Sequence, residues 1–296
     1  MKIMKRYVAI AAILLGAVAC ENENNFSQYD SNEIRIEASV KNTRLAGTSF
    51  ENGDKISLYA VEYSGDQVAT LQVSGNYLNN EALTYNDSAW AGARTLCWSE
   101  NPCDFYAIYP YQAPRTVTNY LFDLVTDQSV PETEDVLSGY EASDLMWAKA
   151  TKVSRENGAV QLAFKHMMSR VVVKIERGED YEGELPEDID VHIYNTVTTA
   201  EVDLTKGSLQ RYAHGDKKTI TMKQLSGDTF AAVVVPQNIE RRTPLVEITM
   251  EGIAYLLNYS ISFRPGYQHT ITVTLNTSPE QEKIEIQIEG DIEDWN

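Results

Sequence analysis

Among 296 residues the side chains best suited to catalysis or metal binding are few. The histidines are His166, His192, His214 and His269, and the cysteines are Cys20, Cys97 and Cys103. No two histidines stand at metal-ligand spacing. His166 falls on the apolar face of an alternating stretch, where a hydrogen-bonded core imidazole is expected rather than a ligand. The sequence has no Gly-rich phosphate loop after a strand, no Gly-x-Ser-x-Gly elbow and no Cys-His signature. With 43 acidic residues, some carboxylate pairs reach glycosidase distances by chance, so such pairs alone do not argue for hydrolysis. The expectation is a non-enzymatic chain with no catalytic residue, no metal and no cofactor.

Three further groups could bind something. The acidic run from Glu179 to Asp190 offers carboxylates to calcium but lacks the spacing of a calcium loop, so a solvated connection between strands is expected. Trp90, Trp98 and Trp147 could form a sugar-stacking platform, although burial in a core is the commoner fate of such rings. In Cys97-Trp98-Ser99-Glu100-Asn101-Pro102-Cys103 a turn between two strands would bring the thiols together. A Cys97–Cys103 disulfide and a pair of free buried thiols both remain open from sequence.

The elements that must position these groups begin with an export signal. Lys2, Lys5 and Arg6 precede an apolar run, Tyr7 to Val18, too short for the ~20 residues that span a bilayer. Ala17-Val18-Ala19-Cys20 resembles a lipobox, with alanine where leucine is usual at its first position. Residues 1–19 are therefore expected to be a signal peptide, Cys20 to carry lipid, and residues 20–32 to form a polar, mobile tether. Loss of three basic residues with the signal leaves 22 basic and 43 acidic side chains, moving the net charge from −18 to −21. Such a surface repels phosphate backbones, so no nucleic-acid partner is expected.

Beyond the tether, alternation with period two dominates. Ile34, Ile36, Ala38 and Val40 interleave with Arg35, Glu37 and Ser39, the pattern of a half-buried strand. Lys55–Glu62, Asp104–Tyr109, Thr229–Val235, Leu245–Met250, Tyr255–Phe263, His269–Leu275 and Lys283–Glu289 read alike. In 160–176 the apolar residues move from even positions (Val160 to Met168) to odd ones (Val171 to Ile175), which predicts a bulge or bend near Ser169-Arg170. Pro265-Gly266 suits a type II turn closing a hairpin between Tyr255–Phe263 and His269–Leu275. Ser143–Lys152 is read as at most a short helical turn. The fold class is all-β, with two β-sandwich domains in tandem over 33–157 and 158–296.

Several stretches, in order, resemble the fimbrillin-like family of Bacteroidetes, whose members build type V pili: Phe50-Glu51-Asn52-Gly53-Asp54-Lys55-Ile56-Ser57-Leu58-Tyr59, Asp104 to Tyr111, Ser143 to Ala148, Leu162 to Val171, Val235-Pro236-Gln237 and Phe263 to Tyr267. The resemblance covers nearly the whole chain after the signal. It implies two β-sandwich domains of transthyretin-like or Ig-like type in a lipoprotein of the outer membrane and cell surface, assembled with other pilin subunits by strand exchange. An arginine-specific protease would cut between Arg44 and Leu45, release the strand of Ile34, Ile36, Ala38 and Val40, and open a groove for a neighbour's strand.

The physical logic stands apart from the family. A sheet that loses an alternating strand bares an apolar groove and unpaired backbone groups, which recruit another strand. The segment with Ile284, Ile286 and Ile288 is a candidate donor, because three buried isoleucines contribute roughly 5–9 kcal/mol gross. It reads equally as the closing strand of its own domain, with Ile292 and Trp295 packed beside it. The alternative for the whole chain is a monomeric surface lipoprotein or tip adhesin that binds glycan or host protein.

Overall fold

A computed structural model describes residues 32–40, 50–87, 89–134, 136–240, 243–276 and 286–295, the first residues of the last segment by backbone alone. Cys20, Arg44, Leu45 and Ile284 lie outside the described residues. The first part of the chain gives β1 (Ile36–Val40), β2 (Lys55–Ser64), β3 (Gln67–Val68), β4 (Leu78–Asn86), β5 (Ala89–Gly92), β6 (Cys103–Tyr109), β7 (Tyr120–Asp123), the short helix α1 (Gly139–Ser143), β8 (Met146–Val153) and β9 (Val160–His166). Seven of these strands lie side by side in the order β1-β9-β8-β6-β2-β4-β5, with β3 paired to β2.

The central strands of this sheet are apolar on both faces, the signature of a strand covered on both sides. In β2 and β6, Ile56, Leu58, Ala60, Phe105 and Ala107 enter one core, shared with Ile34, Ile36, Leu83, Leu96, Trp98, Leu162 and Phe164. Their neighbours Tyr59, Val61, Tyr106 and Ile108 point the other way, into a second core built largely from later strands. The sheet is thus a wall shared by two cores.

Those later strands are β10 (Ser169–Arg177), β11 (Ile189–Val197), β12 (Thr199–Asp203), β13 (Ser208–Arg211), β14 (Lys217–Thr221), β15 (Lys223–Ser226), β16 (Thr229–Val234), β17 (Asn238–Ile239), β18 (Pro244–Met250), β19 (Ile253–Asn258), β20 (Ile261–Ser262), β21 (Tyr267–Leu275) and β22 (Ile286–Asp294). They form sheets β15-β16-β10-β21-β22, β14-β11-β18-β19 and β17-β20, while β13-β12 takes in β7 from the first part of the chain. Val171, Val173, Ile175, Ile271 and Val273 face the second core. Within it Trp147 donates from Nε1 to the Leu204 carbonyl at 2.8 Å. A Cβ on Gly207 would lie 2.3 Å from that indole, and φ is +60° there, so only glycine fits.

Several sequence expectations are corrected here. The phase change near Ser169-Arg170 is not a bulge within one strand: the chain leaves the first sheet at His166, crosses at the buried Met167-Met168 and enters the five-stranded sheet as β10. Strand β9, on the far side of the 157/158 division, pairs with β8 and β1. Pro265-Gly266 does form a turn, with Gly266 at φ +74° and Tyr267 N–H donating to Arg264 O at 3.3 Å. It closes no hairpin, because β19 pairs with β18, β20 with β17, and β21 with β10 and β22. Alternation reports burial but not the partner. Ser143–Lys152, read as a helical turn, is mostly β8. The helix stops one turn earlier and is capped by Ser138, whose Oγ accepts from Glu141 N–H at 3.1 Å.

Candidate functional site

The first terminal strand, β1, sits outermost on its sheet. It runs parallel to β9, from Ile36 opposite Val160 to Val40 opposite Phe164, and its other edge lies against β5. Its attachment follows from alternation. Ile34 and Ile36 are 6% and 8% exposed, whereas Ala38 and Val40 are half-buried against the same core. Backbone bonds tie the segment on both sides: Ile34 N–H to Leu96 O at 2.8 Å, Trp98 N–H to Asn32 O at 2.9 Å, and Val160 N–H to Arg35 O at 2.8 Å. At its far end the chain resumes at Phe50, whose ring meets Trp90, Tyr109 and Phe164 edge-on at 5.0, 5.6 and 5.3 Å.

The other terminal strand, β22, is also outermost. It pairs antiparallel with β21 along its whole length, from Ile286 opposite Leu275 to Asp294 opposite Tyr267, so Ile286 and Ile288 take part in closing the chain's own sheet. Of the two residues expected to pack beside it, Trp295 is the anchor. That ring is 5% exposed, whereas Ile292, expected to pack with it, is 45% exposed. Trp295 N–H donates to Gly266 O at 2.9 Å. The indole stacks on His166 with centroids 4.1 Å apart and planes 10° from parallel. His166 in turn donates from Nδ1 to Asp144 Oδ1 at 2.8 Å. The expected core histidine is therefore a buckle joining the last strand to the first sheet.

A cavity of about 210 Å³ opens where these ends converge, lined among others by Val40, Phe50, Tyr109, His166, Arg170 and Trp295. On its wall Asp54 accepts from Tyr109 OH at 2.9 Å and from Glu51 N–H at 2.8 Å. Burial raises the Asp54 carboxyl above its ordinary pKa and holds the Tyr109 phenol neutral. Sequence reading missed Asp144, Arg170 and Tyr140 in this region, because nothing in their spacing links three separate elements. Only the polar His166 on an apolar face marked the place.

The remaining candidates are not gathered into one site. Trp98 is buried against Phe105 at 5.9 Å, Trp90 lies beside Tyr85 at 5.1 Å, and Trp147 carries Lys165 over its ring at 4.9 Å, so no common platform forms. Of the two arrangements left open for Cys97 and Cys103, the thiols are free, with Cys97 exposed and Cys103 buried. Leu96 and Trp98 turn inward, so Cys97 between them faces out while Cys103 enters the core. Burial first, then the charges of Glu62 and Asp104, push the Cys103 thiol up to about 12. The acidic run is a connection between β10 and β11. Among the described residues no cluster of His, Cys, Asp or Glu could hold a metal ion.

A family model described as fimbrillin-like matches residues 43–295. Among solved structures, a candidate cell adhesion protein of Bacteroides uniformis superposes with a TM-score of 0.66 at 22% identity, covering 90% of this chain and 100% of its own. One from Bacteroides ovatus gives 0.67 at 17% identity, covering 90% and 98%. A fimbrial protein of Bacteroides vulgatus gives 0.50 at 13% identity, covering 90% and 100%. No curated protein matches the sequence significantly.

Proposed function

Since the chain belongs to the fimbrillin-like family, whose members are structural rather than catalytic, we propose that it is a subunit or accessory pilin of a cell-surface fimbrium, contributing to adhesion. In this reading it is exported as an outer-membrane lipoprotein anchored through Cys20 and assembles with other pilin subunits after cleavage between Arg44 and Leu45. The observation that carries it is the seat of β1. The strand ends its sheet, held by a parallel ladder to β9 and, just before it, by the backbone bonds of Asn32 and Ile34 to Trp98 and Leu96, and the segment plugs an apolar core with Ile34 and Ile36. Its removal would leave the β9 edge unpaired above Leu162 and Phe164, a template for an incoming strand.

The same reading gives β22 two states. In the monomer it closes its own sheet. To act as donor it would have to leave β21 and lose the Trp295 stack on His166, so donation is favoured only where the acceptor groove returns comparable burial.

N-terminal mass spectrometry of protein shaved from intact cells tests the proposal. Material starting at Leu45, in ladders that resist detergent, is expected. Intact monomer starting at Cys20 would overturn it.

A further inference from the structure

The cavity between the strand ends is lined by Val40 from β1, by Trp295 after β22 and by polar groups from the elements between them. Most of its polar groups are committed to partners: Asp54 to Tyr109 and the Glu51 amide, Asp144 to His166, and Glu141 to Lys223 at 3.5 Å. Glu51, Glu132 and Arg170 are different. Their side chains make no hydrogen bond or ion pair with the described residues, and they come to the cavity from three separate parts of the chain. Buried polar atoms normally have partners, yet Arg170 Nε has none. His166, whose side chain is only 5% exposed, also has an unpartnered ring nitrogen. Its Nδ1 meets Asp144 Oδ1 at 2.8 Å, and Nε2 has no partner among the described residues.

This combination defines what fits. Carboxylates outnumber the lone guanidinium, which disfavours a free anion. Arg170 inside the same cavity disfavours a compact cation. A neutral hydroxyl-bearing group, which both donates and accepts, answers the two buried unpartnered atoms, taking a hydrogen bond from Arg170 Nε and meeting His166 Nε2 in either role, while its outer hydroxyls give hydrogen bonds to the exposed Glu51 and Glu132 carboxylates. Phe50 and Met146 supply apolar wall for a face of C–H groups. The volume of about 210 Å³ is small beside the ~300–1,000 Å³ of sites for drug-sized ligands, and suits a single ring. We propose that this cavity binds one neutral hexose or deoxyhexose unit of a glycan. The inference concerns the chain before any strand exchange, in which Val40 and Trp295 both line the cavity.

The test uses the full chain with methyl glycosides of mannose, galactose, glucose, fucose and N-acetylglucosamine, read by saturation-transfer NMR and by the fluorescence of Trp295. At least one glycoside is expected to bind with a Kd near ~1 mM, since a lone sugar ring buries little surface. Arg170→Met and Glu132→Gln should each weaken that binding by about tenfold, the loss of one well-placed hydrogen bond. Glu132 is exposed, so its variant leaves folding intact and keeps the test decisive if Arg170→Met fails to fold. Absence of any binding glycoside at about ten times that concentration overturns the proposal. So does binding unaffected by Glu132→Gln, or binding of Nα-acetyl-lysine amide in place of every sugar.

Discussion

Replacing Ile36 by alanine probes whether β1 can leave the fold by itself. Ile36 is 8% exposed and packs in the first core beside Val160 and Leu162. Truncation of a buried isoleucine to alanine costs about 2–5 kcal/mol. Because β1 is outermost and can partly settle into the space, the lower part of that range, about 2–3 kcal/mol, is expected. If β1 opens as a unit ahead of global unfolding, this loss appears entirely in the local opening equilibrium. At 1.4 kcal/mol per factor of ten, the open population rises roughly 30- to 150-fold. Hydrogen exchange reads it directly through the amides of Val160, Ile34 and Trp98, which bond Arg35 O, Leu96 O and Asn32 O. In the unsubstituted chain these amides should exchange with a smaller free energy than the Val172 amide in β10. A labelled peptide with the sequence of residues 33–42 should enter the variant faster by the same factor. The reasoning is refuted if the β1 amides and Val172 exchange with one common free energy in both proteins. That result would make β1 an inseparable part of the core.

Removal of the Trp295 ring by Trp295→Ala should cost about 2–4 kcal/mol through loss of a buried aromatic, read as a lower urea midpoint and faster proteolysis at the C-terminal end. Asp104, 1% exposed, holds Lys149 Nζ at 2.9 Å, Tyr63 OH at 3.0 Å and Lys152 N–H at 2.9 Å. Asp104→Ala strands these donors and should destabilise by about 2–4 kcal/mol in urea denaturation. For His269, burial first and the Arg264 charge second lower the folded pKa to about 4, and its Nε2 accepts from Arg264 N–H at 3.0 Å, a bond only the neutral ring can make. The unfolded chain therefore binds the extra proton between pH ~6.5 and ~4, so stability falls as pH drops through that window, by up to about 3 kcal/mol. His269→Gln should flatten the dependence of the urea midpoint over the same range.

What the sequence determined by itself is the local periodicity. Alternation in Ile34–Val40, Val160–Met168 and His269–Leu275 placed strands within two residues of β1, β9 and β21 and turned the right faces to the cores, because side-chain direction in a strand depends only on residue parity. The same local chemistry marked His166 as a hydrogen-bonded core residue and Pro265-Gly266 as a turn. Pairing was decided by the tertiary structure alone. Parity does not say which edge a strand meets, and so the expected hairpin across Pro265-Gly266 became three strands in three sheets, while β7 crossed to join β12. The choice left open between a Cys97–Cys103 bridge and free thiols was also tertiary: proximity in sequence did not set both side chains on one face, and both are free. The convergence of Val40, His166, Arg170 and Trp295 on one cavity lay beyond sequence reading. It depends on where the first and last strands end in space, which long-range packing fixes and no local pattern encodes.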